Sequence, residues 1–308
     1  MQTRRIGRFE VSAVGLGCNN FGMRLDAEGT NAVVGAALDA GITYFDTADV
    51  YGGDGRSEEL LGAALGARRD EVVLATKFGM GGMPEGVGGG DPSWVRQACE
   101  ASLRRLGTDR IDHYQLHQPD PTTPLADTMG ALDELVREGK VLEVGWSNAT
   151  AEGIDEAAAL AADRGLAPFV SVQNRYSVMT RDPETGGVLD ACRRHGVALV
   201  PFFPLESGLL TGKYAGGAPE GSRLSVPRFA ERFLDDDRLA TVARLTEVAT
   251  AHGRSILELA ISWLVGVDGV ASVICGATRP EQIDQNVAAA GWSIDPDTRA
   301  EIDRIVTA

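Results

Sequence analysis

What the chain lacks narrows it first. In 308 residues no uninterrupted apolar run approaches the ~20 residues needed to cross a bilayer, and the opening MQTRRIGRFEVSA has no hydrophobic signal-peptide core. A soluble, cytoplasmic protein is the expectation. Basic residues are few beside acidic ones, 29 Lys and Arg against 44 Asp and Glu, for a formal net charge of -15. That balance argues against a nucleic-acid or anionic-membrane surface, so an anionic ligand has to be met by local cations. The four cysteines, Cys18, Cys99, Cys192 and Cys275, are widely scattered, show no CxxC spacing and read as reduced thiols in the core. The glycine-rich turn GLGCNN at 15–20 lacks the third glycine of G-x-G-x-x-G, which removes the Rossmann mode of dinucleotide binding.

What is present is alternation. With 44% hydrophobic and 24% charged residues the chain can build one large core, and a single domain over 1–308 is expected. Short apolar or β-branched runs alternate with longer segments of helical period: AVGLGC and a helix near 30–40, ITYFDT and a helix near 57–65, VVLATK and a helix near 92–106, IDHYQLH and a helix near 124–138. VLEVGWS with a helix near 151–164, FVSVQN with one near 186–195, ALVPFF, and ASVICG with one near 280–290 complete eight strands. Eight repeats over this length predict an α/β fold, a (β/α)8 TIM barrel, in preference to an open doubly wound sheet. RRIGRFEVSAV is expected to form an N-terminal β-hairpin closing the barrel floor. Two long loops, 79–92 and 204–235, fall at the C-terminal face; the first is glycine-rich and reads equally as a plain connector or as a substrate lid.

Active sites of such barrels lie at the C-terminal ends of the strands. There the sequence puts Asp46 and Tyr51 (YFDTADVYGG), Lys77 (ATKFG) and His117 (YQLHQPD), four titratable side chains from three adjacent strands. A phenol is a weak acid with a reference pKa near 10, and a neighbouring ammonium favours its ionised form, so Lys77 is expected to lower the pKa of Tyr51. Asp46 is placed to keep Lys77 protonated, and His117 to donate a hydrogen bond to an oxygen that gains charge. An acid able to protonate oxygen, without a nucleophile or metal ligand set, suits reduction of a carbonyl whose hydride comes from elsewhere. Taken singly, Tyr51 reads as a turn-packing aromatic, Lys77 as a solvated strand end and His117 as a structural histidine; their convergence favours chemistry. A zinc reading of His113 and His117 finds no third ligand, and no metal is expected.

YFDTADVYG, ATKFG, LHQPD, GWSN, VQN, SGLLTGKY and CGATRPEQIDQN, in this order and across the whole chain, resemble the motifs of aldo-keto reductases. RRIGRFEVSAVGLGC and SGLLTGKY resemble the branch that includes the voltage-gated potassium channel β-subunits. The resemblance implies Asp46, Tyr51, Lys77 and His117 as catalytic tetrad, with Tyr51 as general acid, and NADP(H) as cofactor. It implies Ser147, Asn148 and Gln173 around the nicotinamide carboxamide and Phe202 stacked on the ring, with Pro204 and Leu205 following. Phe203 stands where the family has a serine. Ser207, Gly208 and Leu209 match a pyrophosphate loop, and Lys213 and Arg223 match cations lying over the cofactor. Gly276, Thr278, Arg279, Gln282 and Asn286 fall at the adenosine end, where a T-x-x-E capping box of Thr278 and Glu281 around Pro280 predicts a helix start that favours the 2′-phosphate. Asn20, Phe21, Phe78 and Trp94 are expected to line a substrate pocket beside Tyr51 and His117, for an aldehyde, ketone or keto-sugar. Two other readings stand beside the reductase. One is a cofactor-binding regulatory subunit of slow turnover, against which His117 argues because the channel branch has asparagine there. The other is a Schiff-base lyase or isomerase using Lys77, which leaves Tyr51 and SGLLTGKY unexplained.

Overall fold

Inward-facing positions alternate along every barrel strand, and in the computed structural model, which describes residues 1–214, 223–226 and 234–307, that alternation builds the site. The chain opens with a hairpin, β1 (Thr3–Ile6) paired antiparallel with β2 (Phe9–Ser12). Its Ile6 and Val11 pack with Tyr44, Val73, Ala75, Val200, Ala271 and Ile274, a small apolar cluster that plugs the barrel floor as expected. Eight parallel strands follow: β3 (Val14–Gly17), β4 (Tyr44–Asp46), β5 (Val73–Phe78), β6 (Ile111–Leu116), β7 (Val141–Ser147), β8 (Phe169–Arg175), β9 (Ala198–Phe202) and β10 (Val273–Gly276). Each lies beside its successor and β10 lies beside β3. The remaining seam closes where Leu199 on β9 bridges Val270, its N–H donating to Gly269 O and its carbonyl accepting from Ala271 N, both at 2.8 Å. This nearly closed barrel is the (β/α)8 architecture read from the sequence.

Helices α1 (Ala27–Asp39), α2 (Arg56–Leu65), α3 (Pro92–Leu106), α4 (Leu125–Arg137), α5 (Ala151–Arg164), the single turn α6 (Asp182–Thr185) and α7 (Val188–His195) cover the strands near the expected positions. Asp26, Asp91 and Thr150 cap α1, α3 and α5 through side-chain oxygens that accept backbone N–H groups. Among the described residues, α8 (Asp236–Ala251), α9 (Ile256–Val265) and, after α10 (Pro280–Ala288), α11 (Pro296–Thr307) have no counterpart in the sequence reading. In α9, ILELAISWLV, all but Leu257 and Glu258 are buried, so it lacks the polar face that gives an amphipathic helix its period.

The glycine-rich 79–92 connection is built for close approach. A Cβ on Gly79 would lie 2.7 Å from Gly89 O, and one on Gly89 would lie 2.3 Å from Gly79 O. The same segment is tied to the loop after β6, with Gly90 N donating to Asp120 (2.9 Å), and to α4, with Thr128 Oγ1 donating to Gly90 O (2.8 Å).

Candidate active site

The barrel interior is layered. Above the floor, the Tyr44 hydroxyl meets His113 Nδ1 at 2.8 Å and Ser171 Oγ meets His113 Nε2 at 3.0 Å. Position 145 must be glycine beside this ring, because a Cβ there would sit 2.4 Å from His113 Nε2. Burial, then the Lys77 charge, pushes His113 down to about 3, so it is a neutral histidine with both nitrogens in use. Among the described residues no three His, Cys, Asp or Glu side chains are grouped to hold a metal.

Two residues further along each strand, the next inward layer is charged. Asp46 on β4 and Lys77 on β5 form a buried pair with Nζ–Oδ2 2.6 Å, and Lys77 Nζ also donates to Thr47 O at 2.9 Å. Asp46 Oδ1 accepts from Gln173 Nε2 (2.8 Å) and Gln115 Nε2 (3.3 Å), so no oxygen of this buried carboxylate lacks a donor. Burial lowers the Lys77 pKa, but Asp46 and then Tyr51 outweigh it, and the ammonium is held above its ordinary value. Lys77 Nζ lies 5.1 Å from the Tyr51 ring centroid, and the Tyr51 and His117 rings meet edge to face at 5.7 Å. The four side chains singled out in the sequence are therefore contiguous.

The structure corrects the expected sign at Tyr51. Lys77 does favour the phenolate, but burial is the larger effect and Asp46 adds to it, so the phenol is raised above 10.0. Tyr51 is consequently a proton carrier throughout the neutral range. Burial, then Lys77, takes His117 down to about 3; its imidazole is neutral, and Nδ1 is buried without a partner.

These groups open onto a cavity of about 670 Å³ at the C-terminal ends of the strands. Asp46, Tyr51, His117, Ser147, Asn148, Gln173, Phe202, Pro204, Leu205, Ser207, Gly208, Lys213, Gly276, Thr278, Arg279, Gln282 and Asn286 stand on its wall, as does Asn20. Phe21, Phe78, Trp94 and Leu209 do not. Lys77 faces inward, so the next residue, Phe78, must face out, where it stacks on Tyr114 at 4.5 Å. Phe21 and Leu209 are fully buried, and Trp94 packs beneath Gly82 on α3. The Arg223 side chain, and positions 215–222 and 227–233 of the long loop, lie outside the described residues. Sequence reasoning missed Arg24 and Met80 on the wall, which fall outside the quoted motifs, and also Thr211 and Gln285, which lie within SGLLTGKY and CGATRPEQIDQN but were not singled out. It also missed Gln115, which the alternation of IDHYQLH, with His113 inward, could have found.

Ser147, Asn148 and Gln173 are joined to one another and to the charged layer. Ser147 Oγ donates to Gln173 O (3.0 Å), and Asn148 Nδ2 donates to His117 O (3.0 Å) and Ser147 Oγ (3.2 Å). Beyond β9, Phe203, Glu206 and Ser207 all have left-handed φ values (53, 47 and 59°), each costing about 1–3 kcal/mol for a non-glycine residue. Ser207 Oγ is buried and has no protein partner. At α10 the expected capping box does not form. Pro280 takes the first helical position, so Arg279 is the N-cap; Gln282, not Glu281, turns back to accept from Thr278 N (2.7 Å) and Oγ1 (3.2 Å). Arg279 provides no side-chain acceptor for the helix N–H groups. Although the chain is acidic, Arg24, Lys213 and Arg279 line the cavity, and Asp46, paired with Lys77, is its only carboxylate among the described residues.

The comparison with known proteins shows the class of oxidoreductase to which this barrel, with its titratable strand ends beside a cation-lined cavity, belongs. The model of the aldo/keto reductase family matches residues 13–307, and the chain belongs to that family. It is 35% identical over 303 residues to the L-glyceraldehyde 3-phosphate reductase of Escherichia coli (strain K12), covering 94% of this chain and 87% of that protein. It is also 36% identical over 299 residues to a probable voltage-gated potassium channel subunit beta of Oryza sativa subsp. japonica, covering 94% of this chain and 91% of the relative. The corresponding protein of Arabidopsis thaliana is 34% identical over the same span. No helix among the described residues is long and apolar enough to cross a membrane.

Proposed function

We propose that this protein reduces the carbonyl of a small aldehyde, ketone or keto-sugar to the alcohol, with NADPH as hydride donor and Tyr51 as general acid. The observation that carries the reading is the contiguous Asp46–Lys77–Tyr51–His117 cluster at one end of the cavity. The wall also fits a phosphorylated dinucleotide: Ser207 Oγ is an orphaned buried donor, α10 starts without a side-chain cap, and Lys213 and Arg279 are cationic. NADPH, when bound, supplies the hydride. The Tyr51 hydroxyl gives its proton to the substrate oxygen, and the neutral His117 imidazole donates a hydrogen bond to the same oxygen as it gains charge. Lys77, held protonated by Asp46, stabilises the phenolate left behind. Asn148 and Gln173 direct amide N–H groups to His117 O and Asp46, which leaves their amide oxygens as acceptors for a carboxamide. The phosphorylated aldehyde in the name of the Escherichia coli relative falls within the proposed substrate class.

A panel of carbonyl compounds followed by loss of NADPH absorbance tests the activity. Tight NADPH binding with turnover of no compound would favour a regulatory role, a reading that the channel-subunit relatives keep in view. Because burial raises Tyr51 above 10.0, kcat/KM for reduction is expected to stay level between about pH 8 and about pH 9.5. A basic limb centred near pH 8.5 would mean that Lys77 governs the phenol after all.

NADPH should bind more tightly than NADH, because the 2′-phosphate meets Arg279 and the α10 start. A charge-assisted hydrogen bond contributes about 1.5–3 kcal/mol, but Arg279 is exposed and solvent screens it. Arg279→Ala is therefore expected to raise the NADPH Kd about tenfold and leave NADH almost unchanged, measured by quenching of tryptophan fluorescence. Equal weakening of both nucleotides would move Arg279 to the adenine or the helix start.

A further inference from the structure

One fully buried carboxylate takes no part in the chemistry proposed above. Glu206 follows β9 in the connection that runs on to α8, and its side chain is 0% exposed. Its Oε2 accepts from Arg175 Nη2 at 2.5 Å and from Arg238 Nη2 at 2.8 Å, and its Oε1 accepts from Ser177 Oγ at 2.5 Å. Arg175 ends β8, Ser177 lies just beyond it, and Arg238 stands in the first turn of α8, where its N–H is capped by Asp235. A single carboxylate thus ties together the end of one strand, the start of the long connection and the helix at its far end.

The backbone at this tie is left-handed at three successive positions, Glu206, Ser207 and Gly208 (φ 47, 59 and 94°). Residues other than glycine hold that conformation only where their surroundings over-determine it. Leu205 O accepts from Gly208 N (2.8 Å) and Leu210 N (3.2 Å), which closes the turn from the backbone side, and the Glu206 side chain anchors it from the core side. The consequence is a division of faces. Glu206 points into the protein and is absent from the cavity wall, whereas Ser207 and Gly208 stand on it, Ser207 with an unpartnered buried hydroxyl.

We infer that Glu206, gripped by Arg175, Arg238 and Ser177, is a positioning residue for dinucleotide binding: it holds the turn that presents Ser207 Oγ and the Gly208 backbone to the cofactor's diphosphate. The inference rests on the reading that NADP(H) lies along this wall. Glu206 touches neither ligand nor reacting atoms, so its removal acts on affinity and leaves the chemical step intact.

The test is Glu206→Gln, which keeps the volume and removes the charge that both arginines grip. NADPH Kd by fluorescence quenching and KM for NADPH are expected to rise about tenfold, with kcat at saturating NADPH within about threefold of wild type. Coupling to Ser207 separates positioning from general support. If Glu206 works by placing Ser207, the double variant with Ser207→Ala binds NADPH no more weakly than Glu206→Gln alone; a merely structural tie makes the two losses multiply. Wild-type NADPH affinity in folded Glu206→Gln, or multiplying losses, overturns the inference. Should Glu206→Gln not fold, Arg238→Gln, which leaves the Arg175 contact in place, carries the same measurement: about threefold weaker NADPH binding supports the inference and unchanged binding overturns it. If the wild-type protein binds no NADPH, the proposed function itself falls, and that outcome is separate from either result for the variant.

Discussion

Replacing Tyr51 by Phe is expected to lower kcat for carbonyl reduction about 10²–10⁴-fold, the range for loss of a general acid, while NADPH Kd changes little. The ring packs edge to face against His117, and Phe preserves that contact. What disappears is the hydroxyl that, alone among the described residues, is at once beside Lys77, on the cavity wall and raised enough in pKa to remain protonated. Steady-state rates from NADPH absorbance, with fluorescence titration of the cofactor, read the two quantities separately. Near-normal kcat would remove Tyr51 from the mechanism.

Lys77→Met should reduce kcat by about 10²-fold or more, for a different reason. The phenolate formed as the proton leaves would then face Asp46 without the intervening ammonium, and the developing negative charge would be opposed instead of stabilised. This variant also leaves a buried carboxylate without its counter-ion. Losing one member of such a pair costs about 3–5 kcal/mol, and the Gln115 and Gln173 donors on Asp46 Oδ1 should hold the loss to the low end. Stability and catalysis can be told apart with the Asp46→Asn, Lys77→Met double variant, which removes both charges. Urea melts of the double variant are expected to recover most of the lost stability, while activity stays at the level of the single variant. Activity that returned together with stability would show that Lys77 serves only to neutralise Asp46.

Much of this architecture was legible because barrel strands buried on both faces stand out as short apolar runs, and because the titratable cluster sits at their ends. Asp46, Lys77 and His117 could be named from YFDT, ATKFG and LHQPD, and the structure pairs Asp46 with Lys77 and sets Tyr51 beside both Lys77 and His117. Helix α9 was invisible for the converse reason, since a helix buried nearly all round has no polar stripe to betray its period. Phe78 shows how far a motif reaches: it adjoins Lys77 in ATKFG, yet strand alternation turns it away from the cavity.

By itself the sequence determined the βα alternation, the barrel and the residues at its strand ends, because these depend on local period and on adjacency along the chain. The tertiary structure alone decided everything that depends on how far a group lies from water and from distant charges. It set the sign of the Tyr51 shift, where burial outweighs Lys77, and kept His117 neutral. It also brought Gln115 and Gln173 to Asp46, and joined Glu206 to arginines 31 and 32 positions away. Dielectric environment and long-range contact are properties of the packed chain, and no short stretch of residues encodes them.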